Sequence, residues 1–196
     1  MKPKIILASK SPRRSQLLTW AEIEFEVMAA ETDESYPLHL SPIDVAIHIA
    51  TDKATAVKNI LQSQNNIDKN STILAADTIV ILDNKIIGKP VDRKDAVDTL
   101  SMLSGRTHRV VTGICILAKG KTIAFAEETE VEFLELSGSQ IEYYIDQYKP
   151  YDKAGAYAIQ EWIGMIGIKS INGDFYNVMG LPVSRVIKEL NTLNDV

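Results

Sequence analysis

Thr72-Ile73-Leu74-Ala75-Ala76-Asp77-Thr78-Ile79-Val80-Ile81-Leu82 is a long β-rich run interrupted only by one acid and the threonine beside it. So many aliphatic and β-branched residues in a row predict a strand buried on both faces, and Asp83-Asn84-Lys85 turns it into a short hairpin ending at Gly88-Lys89-Pro90. An ionised carboxylate inside such a run is costly unless it is paired, hydrogen-bonded or bound to a metal. Asp77 is therefore the most informative acid in the chain. Either it accepts backbone hydrogen bonds at a sheet irregularity, or it binds a divalent ion or activates water.

Outward from this run, strands and helices alternate. Lys4 to Ala8 reads as a buried strand, and Ser11 with Pro12 caps a helix from Arg13 to about Trp20. Phe25 to Met28 is a further strand, followed by an acidic loop with Glu31, Asp33 and Glu34. Ser41-Pro42-Ile43-Asp44 repeats the cap-proline signature and opens a helix to about Gln62, with Asn65 to Ser71 as a polar connection. Asp92 caps a helix to about Leu103, and two long strands, His108 to Ala118 and Thr122 to Leu134, meet at Lys119-Gly120. Ser137 and Gln140 form a capping box for a helix through Tyr148. A loop from Lys149 to Gly155, short apolar runs around Ala158 and from Ile163 to Ile171, and an Asn172-Gly173 turn lead to a last helix behind Leu181-Pro182. This order predicts one α/β domain over residues 1–196, built on a mixed, twisted sheet flanked by helices, with a cleft where strand ends and loops converge.

Composition narrows the function classes. A net charge of −5 and a pI near 5.3 argue against a general nucleic-acid binder, which needs a wide basic surface, but leave room for a small anionic ligand. Cys115, the single cysteine, sits in an apolar run and offers no internal disulfide. The apolar stretch from Ile5 to Ala8 is too short for a signal-peptide core, and no later run reaches the roughly 20 apolar residues of a membrane span. A cytoplasmic protein without membrane contact is expected.

Beyond Asp77, chemistry concentrates in a few places. Ser9-Lys10-Ser11-Pro12-Arg13-Arg14 puts arginines at a helix N-terminus, a natural anion site, although a capped helix with solvated arginines reads equally well. Lys53 and Lys89 are ordinary surface residues taken singly, but glycine and proline fix the backbone on either side of Lys89. Glu34 is a candidate metal ligand in the acidic loop. Pro150 to Gln160 combines charge, glycine and tyrosines, and the Gln160 amide can donate and accept at a base edge. His39, His48 and His108 suggest no zinc site.

Together these segments resemble the Maf family of nucleotide pyrophosphatases, also described as septum-formation inhibitor proteins. The resemblance runs through Leu7-Ala8-Ser9-Lys10-Ser11-Pro12-Arg13-Arg14, Ala76-Asp77-Thr78, Gly88-Lys89-Pro90, Leu103-Ser104-Gly105-Arg106-Thr107-His108, Asp152-Lys153-Ala154-Gly155-Ala156-Tyr157 and Gly180-Leu181-Pro182. It implies a fold similar to inosine triphosphate pyrophosphatase, with two lobes around a central cleft. It also implies hydrolysis of a nucleoside triphosphate to the monophosphate and pyrophosphate with a divalent cation, magnesium or manganese, and is compatible with a homodimer. By motif position Asp77 looks like the proton acceptor. Arg13, Thr78 and Gln160 match positions of substrate selection, and Ser9, Arg14, Glu34, Lys53 and Lys89 match the phosphate and metal shell. The Lys153 to Gln160 segment looks like the branch acting on dTTP and UTP rather than on 7-methyl-GTP. That branch usually continues into a glycine-containing turn, where this chain has Glu161-Trp162-Ile163-Gly164. A pyrophosphatase for 7-methyl-GTP or another noncanonical nucleotide is the alternative within enzymology, and a nucleotide-sensing regulator of cell division without significant turnover the alternative outside it.

Overall fold

The computed structural model describes residues 5–64 and 71–194. Of the predicted polar connection from Asn65 to Ser71, residues 65–70 lie outside them. Strands β1 (Ile5–Leu7), β2 (Phe25–Val27), β3 (Thr72–Leu82), β4 (Lys85–Ile87), β5 (Thr107–Ala118), β6 (Lys121–Phe133) and β7 (Ile168–Asn172) form one sheet in the order β2-β1-β3-β5-β6-β7, with β4 paired to β3. β1 runs parallel to β2 and β3, while β4 on β3 and β7 on β6 are antiparallel. The sheet is mixed, as expected, and the helices are α1 (Pro12–Trp20), α2 (Pro42–Ser63), α3 (Arg93–Leu103), α4 (Gly138–Tyr148), α5 (Trp162–Gly167), α6 (Phe175–Met179) and α7 (Val183–Asn194).

The chain divides into two compact units. The first comprises Met1–Asp77, Thr112–Glu127 and Gly180–Val196, and the second Thr78–Val111 and Glu128–Met179. In the first unit α2 presents Ala50, Ala54, Val57 and Leu61 at helical spacing to Ile6 and Ala8 of the β1 segment, Ile73 and Ala75 of β3, and Cys115 of β5. Burying the larger of these side chains stabilises by about 2 kcal/mol apiece. Close contact also requires Gly113 on β5: a Cβ there would lie 2.2 Å from the backbone carbonyl of Ala46 on α2. The Ser41 hydroxyl accepts the Asp44 N–H and starts α2 where the cap-proline signature puts it.

In the second unit α3 packs against α4, burying Ala96, Leu100 and Leu103 on one helix and Ile141, Tyr144 and Ile145 on the other. The capping box of Ser137 and Gln140 is formed in full. His108, Phe133 and Tyr157 make an aromatic cluster with ring centroids 5.1–5.5 Å apart.

Candidate active site

Asp77 is the buried acid of β3, and its surroundings resolve the cost of placing it there. Its Oδ1 accepts a hydrogen bond from Lys53 Nζ at 2.6 Å, and the same ammonium lies 2.7 Å from Glu34 Oε1. The Asp77 and Lys53 side chains are 12% and 17% exposed, whereas Glu34 is 46% exposed. One lysine of α2 thus draws together an acid from the strand and an acid from the loop after β2. These residues lie far apart in sequence and belong to the same unit.

The segment between β1 and α1 supplies the cationic side of this unit. Arg14 is buried, its Nε donating to the Gly180 carbonyl at 2.8 Å and its NH1 to Ser9 Oγ at 3.0 Å. Burial lowers its pKa from 12.5 to about 10, against the opposing pull of the nearby Asp77 charge; Arg13 lowers it further and Glu34 raises it. At neutral pH the guanidinium keeps its charge. Ser9 Oγ also accepts the Ser11 N–H at 3.2 Å, so its lone pairs are engaged and its own proton is directed elsewhere. Ser11 stands at the N-cap of α1 and Pro12 opens the helix, as predicted, but the Ser11 side chain makes no capping bond. The positive end of α1 therefore keeps its attraction for an anion. Arg13 is half-buried beside it.

The remaining predicted residues belong to the second unit. Thr78 follows Asp77 on β3 and is half-buried; Lys89 is exposed in the turn after β4. The Gly155 N–H donates to the Gly88 carbonyl at 3.1 Å, fastening the Lys89 turn to the loop that carries Lys153. Gly155 has φ +71°, and a Cβ there would come within 2.9 Å of Val80 Cγ2. Ala156 follows with φ 57°, a left-handed backbone that costs an L-residue about 1–2 kcal/mol, so the loop is held by its surroundings rather than by local preference. Lys153 Nζ lies 2.7 Å from Asp152 Oδ1 and 3.7 Å from Glu161 Oε1, and Gln160 is exposed next to Glu161.

Several contributors escaped the sequence reading. The Gly180 carbonyl that anchors Arg14 carries no side chain to betray it. Tyr144 donates its hydroxyl to Glu161 Oε2 and accepts the Ala158 N–H at 3.1 Å, a role hidden because Tyr144 falls on the apolar stripe of α4. Glu161 itself was visible as an acid beside Gln160.

A buried acid, a lysine shared between two carboxylates and arginines at a helix N-terminus thus lie within one unit of a mixed α/β protein. Residues 4–193 match the family model described as Maf-like protein, and the chain belongs to that family. It is 46% identical over 96% of its length to the dTTP/UTP pyrophosphatase of Parabacteroides distasonis, which it covers to 95%. It is 47% identical over 98% of its length to the dTTP/UTP pyrophosphatase of Phocaeicola vulgatus, covered to 97%, and 47% identical over 96% to that of Cytophaga hutchinsonii, covered to 84%. Among solved structures, the Staphylococcus aureus Ham1 protein aligns with a TM-score of 0.45 at 14% identity, over 66% of this chain and 71% of that one, a likeness too slight to bear on function.

Proposed function

We propose that this protein is a dTTP/UTP pyrophosphatase, hydrolysing the anhydride between the α and β phosphates to give the monophosphate and pyrophosphate, and that residues 1–196 work as a single functional domain. The observation that carries the reading is the Glu34–Lys53–Asp77 cluster, set in the same unit as the Ser9–Arg14 anion-binding segment. Relatives bearing that activity in their names, 46–47% identical over nearly the whole chain, support the substrate class.

Glu34 and Asp77 fit a hard divalent cation. Both are oxygen donors that already converge on one positive charge, and no group of three or more His, Cys, Asp or Glu gathers among the described residues. Two carboxylates suit magnesium or manganese, which take further oxygens from substrate phosphates and water. When bound, such an ion neutralises phosphate charge and acidifies a coordinated water.

The protein's own groups do the rest. Arg14 and the N-terminus of α1 attract the polyphosphate, and Ser9 donates its hydroxyl proton to a phosphate oxygen. Lys53 and Lys89 offset negative charge on the substrate. Asp77 accepts the proton of the attacking water, so catalysis is mostly positioning and charge stabilisation. Arg13, Thr78, Lys153 and Gln160 select the substrate, the amide of Gln160 suiting the donor and acceptor edge of uracil or thymine. The reading includes a cytoplasmic location, where nucleoside triphosphates are made and consumed, and a homodimer.

A panel of dTTP, UTP, CTP and 7-methyl-GTP with pyrophosphate detection tests the assignment. Turnover of both dTTP and UTP well above the other two is expected. Preference for 7-methyl-GTP, or binding of pyrimidine nucleotides without turnover, would overturn it.

A further inference from the structure

Glu161 is the N-cap of α5, yet its side chain makes no capping hydrogen bond. Its carboxylate is divided instead. Oε2 accepts the hydroxyl of Tyr144, a side chain with no exposed surface, and Oε1 faces Lys153 Nζ at 3.7 Å. The Tyr144 oxygen in turn accepts the Ala158 N–H at 3.1 Å, and the Glu161 N–H donates to the Ala158 carbonyl at 3.1 Å. Gly164 closes the same turn so tightly that a Cβ would sit 1.8 Å from the Ile159 carbonyl oxygen. The backbone on both sides of Gln160 is thereby pinned, while Gln160 itself is exposed.

Lys153 is the other end of this arrangement. Its side chain is only 11% exposed, and of its two acidic neighbours Asp152 is 70% exposed and Glu161 22%. A charge pair gains strength as it loses solvent, so the Glu161 carboxylate constrains the ammonium more than the nearer but well-solvated Asp152 does. Capping and packing explain neither half of the division, because the capping bond is absent and a glutamine would pack as well.

We propose that Glu161 is a positioning residue for pyrimidine selection: anchored by Tyr144, it fixes the Lys153 ammonium and the Gln160 backbone so that both present hydrogen-bond donors to the base. This rests on the substrate-binding roles given above to Lys153 and Gln160. Uracil and thymine carry a carbonyl acceptor where cytosine carries an amino donor, so a fixed ammonium favours the first two and rejects the third.

Glu161→Gln separates this role from a structural one, because its carbonyl can still accept the Tyr144 hydroxyl while the charge facing Lys153 is gone. Expected are a KM for UTP and dTTP raised on the order of tenfold, kcat within about twofold, and a smaller preference for UTP over CTP. Glu161→Asp, which keeps the charge, should recover part of the discrimination. A wild-type KM and UTP/CTP ratio in Glu161→Gln would overturn the proposal. Acylation of Lys153 by an amine reagent, followed by mass spectrometry without any nucleotide, gives a readout independent of turnover. Lys153 should label faster in Glu161→Gln than in the wild type; equal rates also overturn the proposal. Wild-type protein inert towards UTP and dTTP would instead sink the functional reading, with the labelling arm still deciding whether Glu161 holds Lys153.

Discussion

Lys53 Nζ lies 2.6 Å from Asp77 Oδ1, and both side chains are less than one-fifth exposed. A carboxylate in an apolar strand is thus tolerated because a helix reaches over to neutralise it, and the same ammonium collects Glu34. Replacing Asp77 by Asn preserves shape and removes the proton acceptor of the proposed mechanism. Turnover should fall about 10² to 10⁴-fold with the folded state intact, as read by steady-state kinetics beside circular dichroism. Near-normal turnover would remove Asp77 from the chemistry.

Removing the ammonium is a different perturbation. Lys53→Met leaves Asp77 in a poorly solvated position without its partner, so stability should drop by about 3 kcal/mol, measured by urea denaturation at neutral pH. In Lys53→Met/Asp77→Asn the loss should be smaller than the sum of the single effects, because the interaction is counted twice in the singles. Additive losses would show that the pair contributes nothing.

Chelation probes the two carboxylates as ion ligands. Excess EDTA should lower dTTP turnover by about 100-fold or more, with recovery on adding magnesium or manganese. Turnover unaffected by EDTA would exclude the ion from the rate-limiting chemistry.

His108 predicts a pH dependence. It is 1% exposed, its Nε2 is 2.7 Å from the Tyr157 hydroxyl, and its Nδ1 has no partner among the described residues. Burial pushes its pKa from 6.5 down to about 4. The unfolded chain therefore takes up a proton that the folded chain refuses between these values, and stability falls as the pH drops through that window. The loss is on the order of 3 kcal/mol by pH 4 and levels off below it. Urea titrations between pH 7 and pH 4 should show this slope, reduced in His108→Gln; an unchanged slope would assign it to other groups.

Gly113→Ala tests how tightly α2 sits on β5. Its methyl would lie 2.2 Å from the Ala46 carbonyl, and backbone cannot swing aside as a flexible side chain does. A destabilisation of about 3 kcal/mol is expected from thermal melts. A melting temperature within a degree or so of wild type would mean that the two elements have room to part.

The features legible in the sequence were those whose cause is local. Asp92, Ser41 and Ser137 capped the helices they precede, and the Lys119-Gly120 turn joined β5 to β6. The helices Trp162–Gly167 and Phe175–Met179 were not foreseen. At five or six residues, with Gly164 and Gly167 inside the first, they have too little intrinsic preference to announce themselves and depend on what they pack against. At the site, Asp77 declared itself by being out of place. Its partner did not, because Lys53 looks like any solvated lysine until α2 is laid across the sheet. The Arg14 bond to Gly180 spans 166 positions and leaves no local trace.

That long-range bond bears on how the molecule comes into being. The first unit is assembled from the beginning, the middle and the last seventeen residues of the chain. The Arg14 guanidinium acquires its carbonyl acceptor only after the ribosome has added Gly180, 166 positions further on. A nascent polypeptide that has not reached Gly180 therefore carries Ser9 and Arg14 without the carbonyl that holds the guanidinium in place.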